Sequence, residues 1–426
     1  MLKERINFLL DKKGMSRKEL VSGLITLPHF SNILKGRYIL AEDLASKFAE
    51  KLEVPADYLL KAEDISNHIL QGANDIVNQM IVFIDIDETY VTTLPNCSNP
   101  LVIELTSKLM AACYYQSIGD NKNYAFLHKN YLNFYLKEFS DDDIKDLPSP
   151  LKKAFYFYKI QVFRSKNDFE LAYSYCKLLL PLLTEDVEPW LAVKKIEVEI
   201  LLTLRKFEVA KKSLDEAMQK IQLKNLNYHL PSFYVLQSNY YFYLGFSEEA
   251  LISLSKAEEN VAHLDLTIKG TYLITIFNNR IVMLIKTGKL VEAESESERF
   301  NTFLQHSSEV EETFFTLIKI YRADIALLGK QFDRLAILIE ELEKLPKNSD
   351  QGYALRFYKA MLAISNGDYQ LAEEEAESCI MYFEENPIIE RLVPLYETLG
   401  ICAEKKRQYK KSSDMYKKIV YLLKEG

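Results

Sequence analysis

One short pattern recurs eight times along this chain and dominates what it can fold into. A turn is followed by an aromatic residue or leucine and then, three or four positions on, by a small or apolar residue. The pairs are Tyr124 with Leu127, Phe169 with Ala172, Phe207 with Ala210, Phe246 with Ala250, Leu290 with Ala293, Phe332 with Leu335, Tyr369 with Ala372 and Tyr409 with Ser412. Between the second members the spacings are 45, 38, 40, 43, 42, 37 and 40 residues. Amphipathic stretches of roughly 15 residues flank each turn. Self-similarity at a near-constant period of this size is the mark of stacked helical hairpins, each burying a face that it cannot cover alone. The pattern predicts an all-α fold, with a solenoid over about residues 101–423.

Composition agrees. Glycine and proline together make 25 of 426 residues, about half the ~12% of average proteins, which leaves few turns and long helices. A hydrophobic fraction of 48% with 27% charged residues supplies a large core and excludes wholesale disorder. No apolar run approaches the ~18 residues of a membrane span; the longest, 80–84 and 178–183, are far shorter. The N-terminus has no signal-peptide core, so a cytoplasmic protein without a membrane partner is expected. The five cysteines are scattered without any CxxC pair, which suggests reduced, buried thiols and neither metal nor cofactor.

Charge singles out the N-terminus. Residues 1–40 hold eight bases and three acids, +5, leaving −13 on the rest of a chain of net charge −8. A basic head on an acidic body suggests that the head alone meets a polyanion. Its pattern reads as five short helices. Ile6, Leu9 and Leu10 form a helical stripe that Gly14 ends. Ser16, with Glu19 as capping-box partner, opens a second helix, and Ser22-Gly23 permits a turn. A third helix runs from Leu27 or Pro28 to Leu34, a fourth carries Leu44, Phe48 and Leu52, and Pro55 starts the last.

The segment MSRKELVSGLITLPHFSNILKGR…LASKFAEKLEVPADYLL resembles the lambda-repressor/Cro-like (XRE-type) helix-turn-helix domain over about 60 residues. Its apolar skeleton is Leu20, Leu24, Phe30, Ile33, Leu44, Phe48, Leu52, Leu59 and Leu60. Arg17 stands where that family usually has Gln, and Leu34 where many members have Glu. The resemblance implies a third helix in the major groove of a double-stranded DNA operator. Arg17, Lys18, Thr26, His29, Ser31, Asn32, Lys35 and Arg37 would make the contacts, Asn suiting adenine and Lys or Arg suiting guanine or phosphate. The alternative is a head kept only for protein binding or dimerisation.

Residues 65–99 read as a linker, helix-compatible over 65–79 and broken by Pro95, Asn96, Asn99 and Pro100. Within it FIDIDET resembles the nucleophile motif of haloacid-dehalogenase-type phosphatases, with Asp85 as nucleophile and Asp87 as acid/base. That fold needs alternating strands and helices, and here helix follows helix, so exposed linker acids are the preferred reading. The six histidines lie far apart and form no catalytic motif; no enzyme is expected.

The body resembles tetratricopeptide repeats, with a period nearer 40 than the usual ~34 and no first-helix Trp. A helix-turn-helix head (1–64), a linker (65–99) and such a body (100–426) together resemble the cytosolic peptide-pheromone receptors of Gram-positive bacteria and their phages, the Rap/Rgg/NprR/PlcR/PrgX group, and the NprR plan most of all. The resemblance implies a homodimeric, quorum-sensing-type transcription regulator that binds a short linear signalling peptide on the concave face. An alternative is an adaptor or phosphatase-type regulator that binds a signalling protein, with little or no DNA binding.

Candidate peptide contacts on the first helices of hairpins are Gln237, Asn239, Asn278, Asn279, Arg280, Tyr321, Arg322, Arg356 and Lys359. Amides can satisfy an extended backbone, and Arg280, Arg322 and Arg356, spaced 42 and 34 residues apart, would line one track for a carboxylate. The competing reading is solvated faces and interhelix ion pairs. Tyr396, Tyr409, Tyr416 and Tyr421 offer a C-terminal dimer surface, or pack within their own hairpins.

Overall fold

A computed structural model describes residues 1–83, 88–95, 97–264, 266–307, 312–386 and 388–425, and every regular element among them is helical. They form two compact units, Met1–Lys224 and Asn225–Gly426.

The first unit begins with α1 (Leu2–Lys13), which Gly14 ends in a left-handed conformation at φ 61°, a backbone state cheap for glycine. Ser16 and Glu19 close a reciprocal capping box on α2 (Arg17–Val21). The Thr26 side chain accepts from the His29 amide to open α3 (Leu27–Leu34). With α4 (Glu42–Leu52) and α5 (Ala56–Leu60) these helices bury Ile6, Leu20, Phe30 and Phe48.

Then follow α6 (Asn67–Phe83), α7 (Glu88–Thr93), α8 (Leu101–Ser117) and α9 (Asn121–Leu127). A five-residue π-helical segment, His128–Leu132, runs into α10 (Asn133–Glu138), followed by α11 (Asp141–Lys145). The unit ends with α12 (Ser149–Ser165), α13 (Phe169–Leu179), α14 (Val187–Thr203) and α15 (Phe207–Lys224).

Residues 65–99, expected as a linker, include a helix that is built into the core. Ala73, Val77, Met80 and Ile81 on α6 are buried, and α6 packs on α8, α12 and α14. Their i, i+4, i+7, i+8 spacing is that of a core-facing stripe. Nor is residue 64 a break in packing: one apolar cluster runs from Leu2 to Ile200, and the Leu101 amide donates to the Ala62 carbonyl at 3.1 Å. Asp85 and Asp87 lie outside the described residues.

The second unit contains α16 (Leu230–Tyr243), α17 (Ser247–Asn260), α18 (Leu266–Lys286), α19 (Leu290–Gln305) and α20 (Glu312–Leu328). It continues with α21 (Phe332–Lys344), α22 (Ser349–Ser365), α23 (Tyr369–Glu385), α24 (Ile389–Lys405) and α25 (Tyr409–Glu425). With α8/α9, α12/α13 and α14/α15 of the first unit, the described residues form eight helical hairpins, as the repeat predicts. Ala172, Ala210, Ala250, Ala293, Leu335 and Ala372 are all sealed from solvent, the close approach for which the pattern selects small or apolar residues. The left-handed residue at the turns is Gly119, Asn167, Arg205, Gly245, Gly288, Lys330, Gly367 or Arg407. Gly329 is therefore not the left-handed turn residue; its neighbour Lys330 is.

Candidate functional site

The head presents two different faces. On the α2–α3 side, Arg17, Lys18, Thr26, His29, Lys35 and Arg37 are exposed, with Ser31 and Asn32 half-buried. Arg17 Nη2 donates to Asn7 Oδ1 at 2.7 Å and Arg37 Nη1 to Asn32 Oδ1 at 3.4 Å. The His29 ring stacks on Tyr38 with centroids 5.2 Å apart. Helix α3 contains no acid. Among the described residues no carboxylate pairs with Arg17, Lys18, Lys35 or Arg37. The eight residues are thus basic or polar, on α2, α3 and the turns beside them, without an acidic partner among the described residues.

The opposite face of the head is fixed to α8. Arg5 is completely buried and pairs with Glu104 at 3.2 Å. Its Nη atoms also donate to the Tyr58 carbonyl at 2.8 Å, to the Ser98 carbonyl at 3.0 Å and to the Asn99 carbonyl. The guanidinium lies 3.9 Å from the Tyr58 ring centroid. The Tyr58 hydroxyl donates to Glu104 at 2.8 Å, and so does the Ser98 amide at 3.1 Å. Burial, with Glu104 beside it, pushes the Tyr58 phenol well above its ordinary range. Phe8 adds aromatic contacts with Tyr131, Phe134 and Tyr135. Helices α1 and α5 thus carry these contacts, to which α2 and α3 contribute no residue. Arg5 is one of the eight bases of residues 1–40, and its place in the apolar stripe beside Ile6 and Leu9 is the sequence signal for its burial.

The nine candidate peptide contacts all lie in the second unit, and they divide into amides and bases. Gln237 and Asn239 on α16 are half-buried and make no hydrogen bond among the described residues. Asn278 accepts from the buried Tyr321 hydroxyl, linking α18 to α20, and donates to Asn279 Oδ1 at 3.3 Å. The bases are all engaged by second helices of hairpins. Arg280 pairs with Glu258 of α17 at 2.7 Å and Glu296 of α19 at 2.5 Å. Arg322 meets Glu294 at 3.5 Å and also Glu298, both on α19. Arg356 meets Glu375 at 3.5 Å, and Lys359 meets Glu343 at 2.5 Å.

Gln237, Arg280, Arg322 and Lys359 each stand eight positions before a left-handed turn residue. Arg356, the third of the expected arginine track, stands eleven positions before Gly367 and so outside this register, and the bases that share it are turned toward the second helices and their acids. Only Arg356 of the arginines remains half exposed. A helical position cannot reveal from sequence spacing alone whether it faces the groove or the neighbouring helix.

Two further features escaped the sequence reading. Tyr358 donates to Asp324 at 2.9 Å and to the Ile320 carbonyl at 3.0 Å, and Arg391 pairs with Asp324 at 2.8 Å while lying over the Phe357 and Tyr358 rings. Lys286 of α18 meets Glu390 of α24 at 2.8 Å, skipping two hairpins. Of the C-terminal tyrosines, Tyr396 is buried and donates to Glu384, and Tyr416 packs against Gly400. Tyr409 and Tyr421 are 68% and 66% exposed. Four cysteines are buried, but Cys97 is exposed, contrary to expectation. No helix among the described residues is long and apolar enough to cross a membrane.

No family model and no curated protein matches the chain. Solved structures do. A Rap protein complexed with competence and sporulation factor aligns with 84% of this chain and 99% of its own, at TM-score 0.58 and 13% identity. The apo quorum sensor NprR from B. thuringiensis covers 75% of this chain and 99% of its own, at 0.43 and 12%. Bacillus thuringiensis PlcR in complex with the peptide PapR7 and DNA covers 76% and 98%, at 0.36 and 15%. These structural neighbours are the peptide-responsive regulators that the sequence resembles, and the likeness to Rap is one of fold.

Proposed function

We propose that this chain is a DNA-binding regulator whose state is set by a short linear peptide held in the second unit. The observation that carries the reading is the contrast between the two sets of cations. Among the described residues Arg17, Lys18, Lys35 and Arg37 have no carboxylate partner, whereas Arg280, Arg322, Arg356 and Lys359 all have one. A basic face left without acidic partners on an otherwise acidic chain is one that a polyanion can meet. In this reading α3 enters the major groove, with Asn32 and Lys35 near base edges and Arg17 on phosphate. Two half-sites call for a homodimer, for which the exposed Tyr409 and Tyr421 on α25 supply apolar area.

The peptide would lie against the amides, Gln237 and Asn239 offering unused donors and acceptors and Asn278 and Asn279 continuing the row. An acidic group on the peptide would exchange with Glu375 at the half-exposed Arg356 more readily than with Glu258 and Glu296 at the buried Arg280.

Fluorescence anisotropy of the full chain on duplexes recovered by genomic selection tests the reading. Asn32→Ala should cost about 1–3 kcal/mol of specific binding, and Arg17→Ala or Lys35→Ala should lower the salt slope by about one. Wild-type binding by all three variants, or no salt-sensitive duplex binding at all, would leave the adaptor reading in its place.

A further inference from the structure

Where the head meets the first hairpin, the first unit contains a cavity of about 430 Å³, within the size range of small-molecule sites. Its apolar walls come from both sides: Phe8, Leu9 and Pro55 from the head, Phe126 and Leu127 from α9. Phe126 is 69% exposed, a large aromatic left at the rim with nothing packed over it. Lys12 and Lys108 are the basic residues of the lining, and Glu104 is its acid. Glu104 is already committed to Arg5, Tyr58 and Ser98. Among the described residues the lining thus counts two bases against one acid, in a chain of net charge −8.

Two observations separate this cavity from an ordinary packing gap. The wall that contributes Asn130 and Tyr131 is the π-helical segment, a rare and strained conformation found frequently at functional sites. Tyr131 in that segment is buried, with Tyr135 and Glu104 beside it. Lys108 is half-buried. Burial draws its ammonium below the ordinary range, opposed by the nearby Glu104, and a partly desolvated cation gains more from an incoming anion than a hydrated one.

We propose that this cavity binds a compact amphipathic carboxylate, its apolar body against Phe8, Leu127 and Phe126 and its carboxylate toward Lys12 and Lys108. Because the walls come from the head and the first hairpin together, the ligand adds to the attachment between them and stabilises the first unit by mass action. The site is separate from the peptide contacts, so its test and that of the peptide reading fail independently.

Isothermal calorimetry of the full chain with octanoate as probe, and 1-octanol as its uncharged counterpart, decides the matter. Octanoate should bind saturably at one site per chain and at least tenfold more tightly than octanol. Lys12→Glu and Lys108→Met should each weaken octanoate at least fivefold while leaving octanol unchanged. Asn130→Trp, at an exposed position on the wall, should block both, with circular dichroism melts confirming that each variant is folded. Equal affinity for octanoate and octanol, octanoate binding untouched by Asn130→Trp in the folded protein, or no saturable binding would overturn the proposal.

Discussion

The two units bury their side chains in different ways. In the first, one large apolar cluster extends from Leu2 through the head, α6 and two hairpins to Val193 and Ile200 on α14. Its innermost ion pair, Arg5–Glu104, is wholly enclosed and further hydrogen-bonded. In the second, the described apolar residues fall into several smaller clusters. Charge lies between them: Glu258, Arg280, Glu296 and Arg299 form a linked chain across α17, α18 and α19. A continuous close-packed core transmits strain and unfolds as one block. A segmented stack can adjust hairpin by hairpin, each contacting only its neighbours. The first architecture holds the head firmly, and the second lets neighbouring hairpins shift against one another.

The largest expected effect lies in the enclosed pair. Glu104→Ala leaves Arg5 charged in an apolar core and should cost about 3–5 kcal/mol. Trp190, the single tryptophan, lies on α14 in the first unit, so urea unfolding followed by its fluorescence reports on that unit. The midpoint by fluorescence should fall well below that by circular dichroism.

Arg280→Ala should cost less, about 1–2 kcal/mol, because Arg299 still reaches both Glu258 and Glu296 at 2.7 Å. It should shift the circular-dichroism transition with little change at Trp190. Equal shifts at both probes from both variants would break the comparison and make the chain one cooperative block.

Acid should have the smallest effect, and in the second unit it acts through Glu258 and Glu373. Burial works to raise the Glu258 carboxyl, but Arg280 and Arg299 more than offset it and hold it below its ordinary value. Hydrogen bonds from Lys406 hold Glu373 low, with Lys411 contributing. A folded-state value below the unfolded one gives stability that is present above about 4.5 and lost as pH falls through the lowered values. A pH titration of urea midpoints should show that loss below about pH 4.5, reduced in Arg280→Ala.

The all-helical class and the eight hairpins were legible because small residues at Ala172, Ala210, Ala250, Ala293 and Ala372 leave a period that nothing else explains. The capping box at Ser16 and Glu19 was legible for the same reason: its chemistry is local. The fusion of head and solenoid was not. Arg5 looks like any surface base until Glu104, 99 residues later, closes over it. The facing of Arg280 and Arg322 was invisible too, since it depends on acids contributed by α17 and α19. The π-helical segment at His128–Leu132 has no sequence signature at all, although the first repeat, whose Leu127 leads into it, has leucine where most copies have alanine.

The repeat turns hold a consequence beyond packing. Asn167, Arg205, Lys330 and Arg407 adopt the left-handed conformation that Gly119, Gly245, Gly288 and Gly367 adopt at the other turns. All four are exposed, so a glycine there would disturb no core, and each side chain costs up to about 1–2 kcal/mol relative to relaxed backbone. Half of the joints are thus under mild tension. In evolutionary terms this is latent tolerance. A lineage that acquires a damaging groove substitution while changing its ligand can regain stability at a distant surface turn, by a change that leaves every contact of the new site untouched.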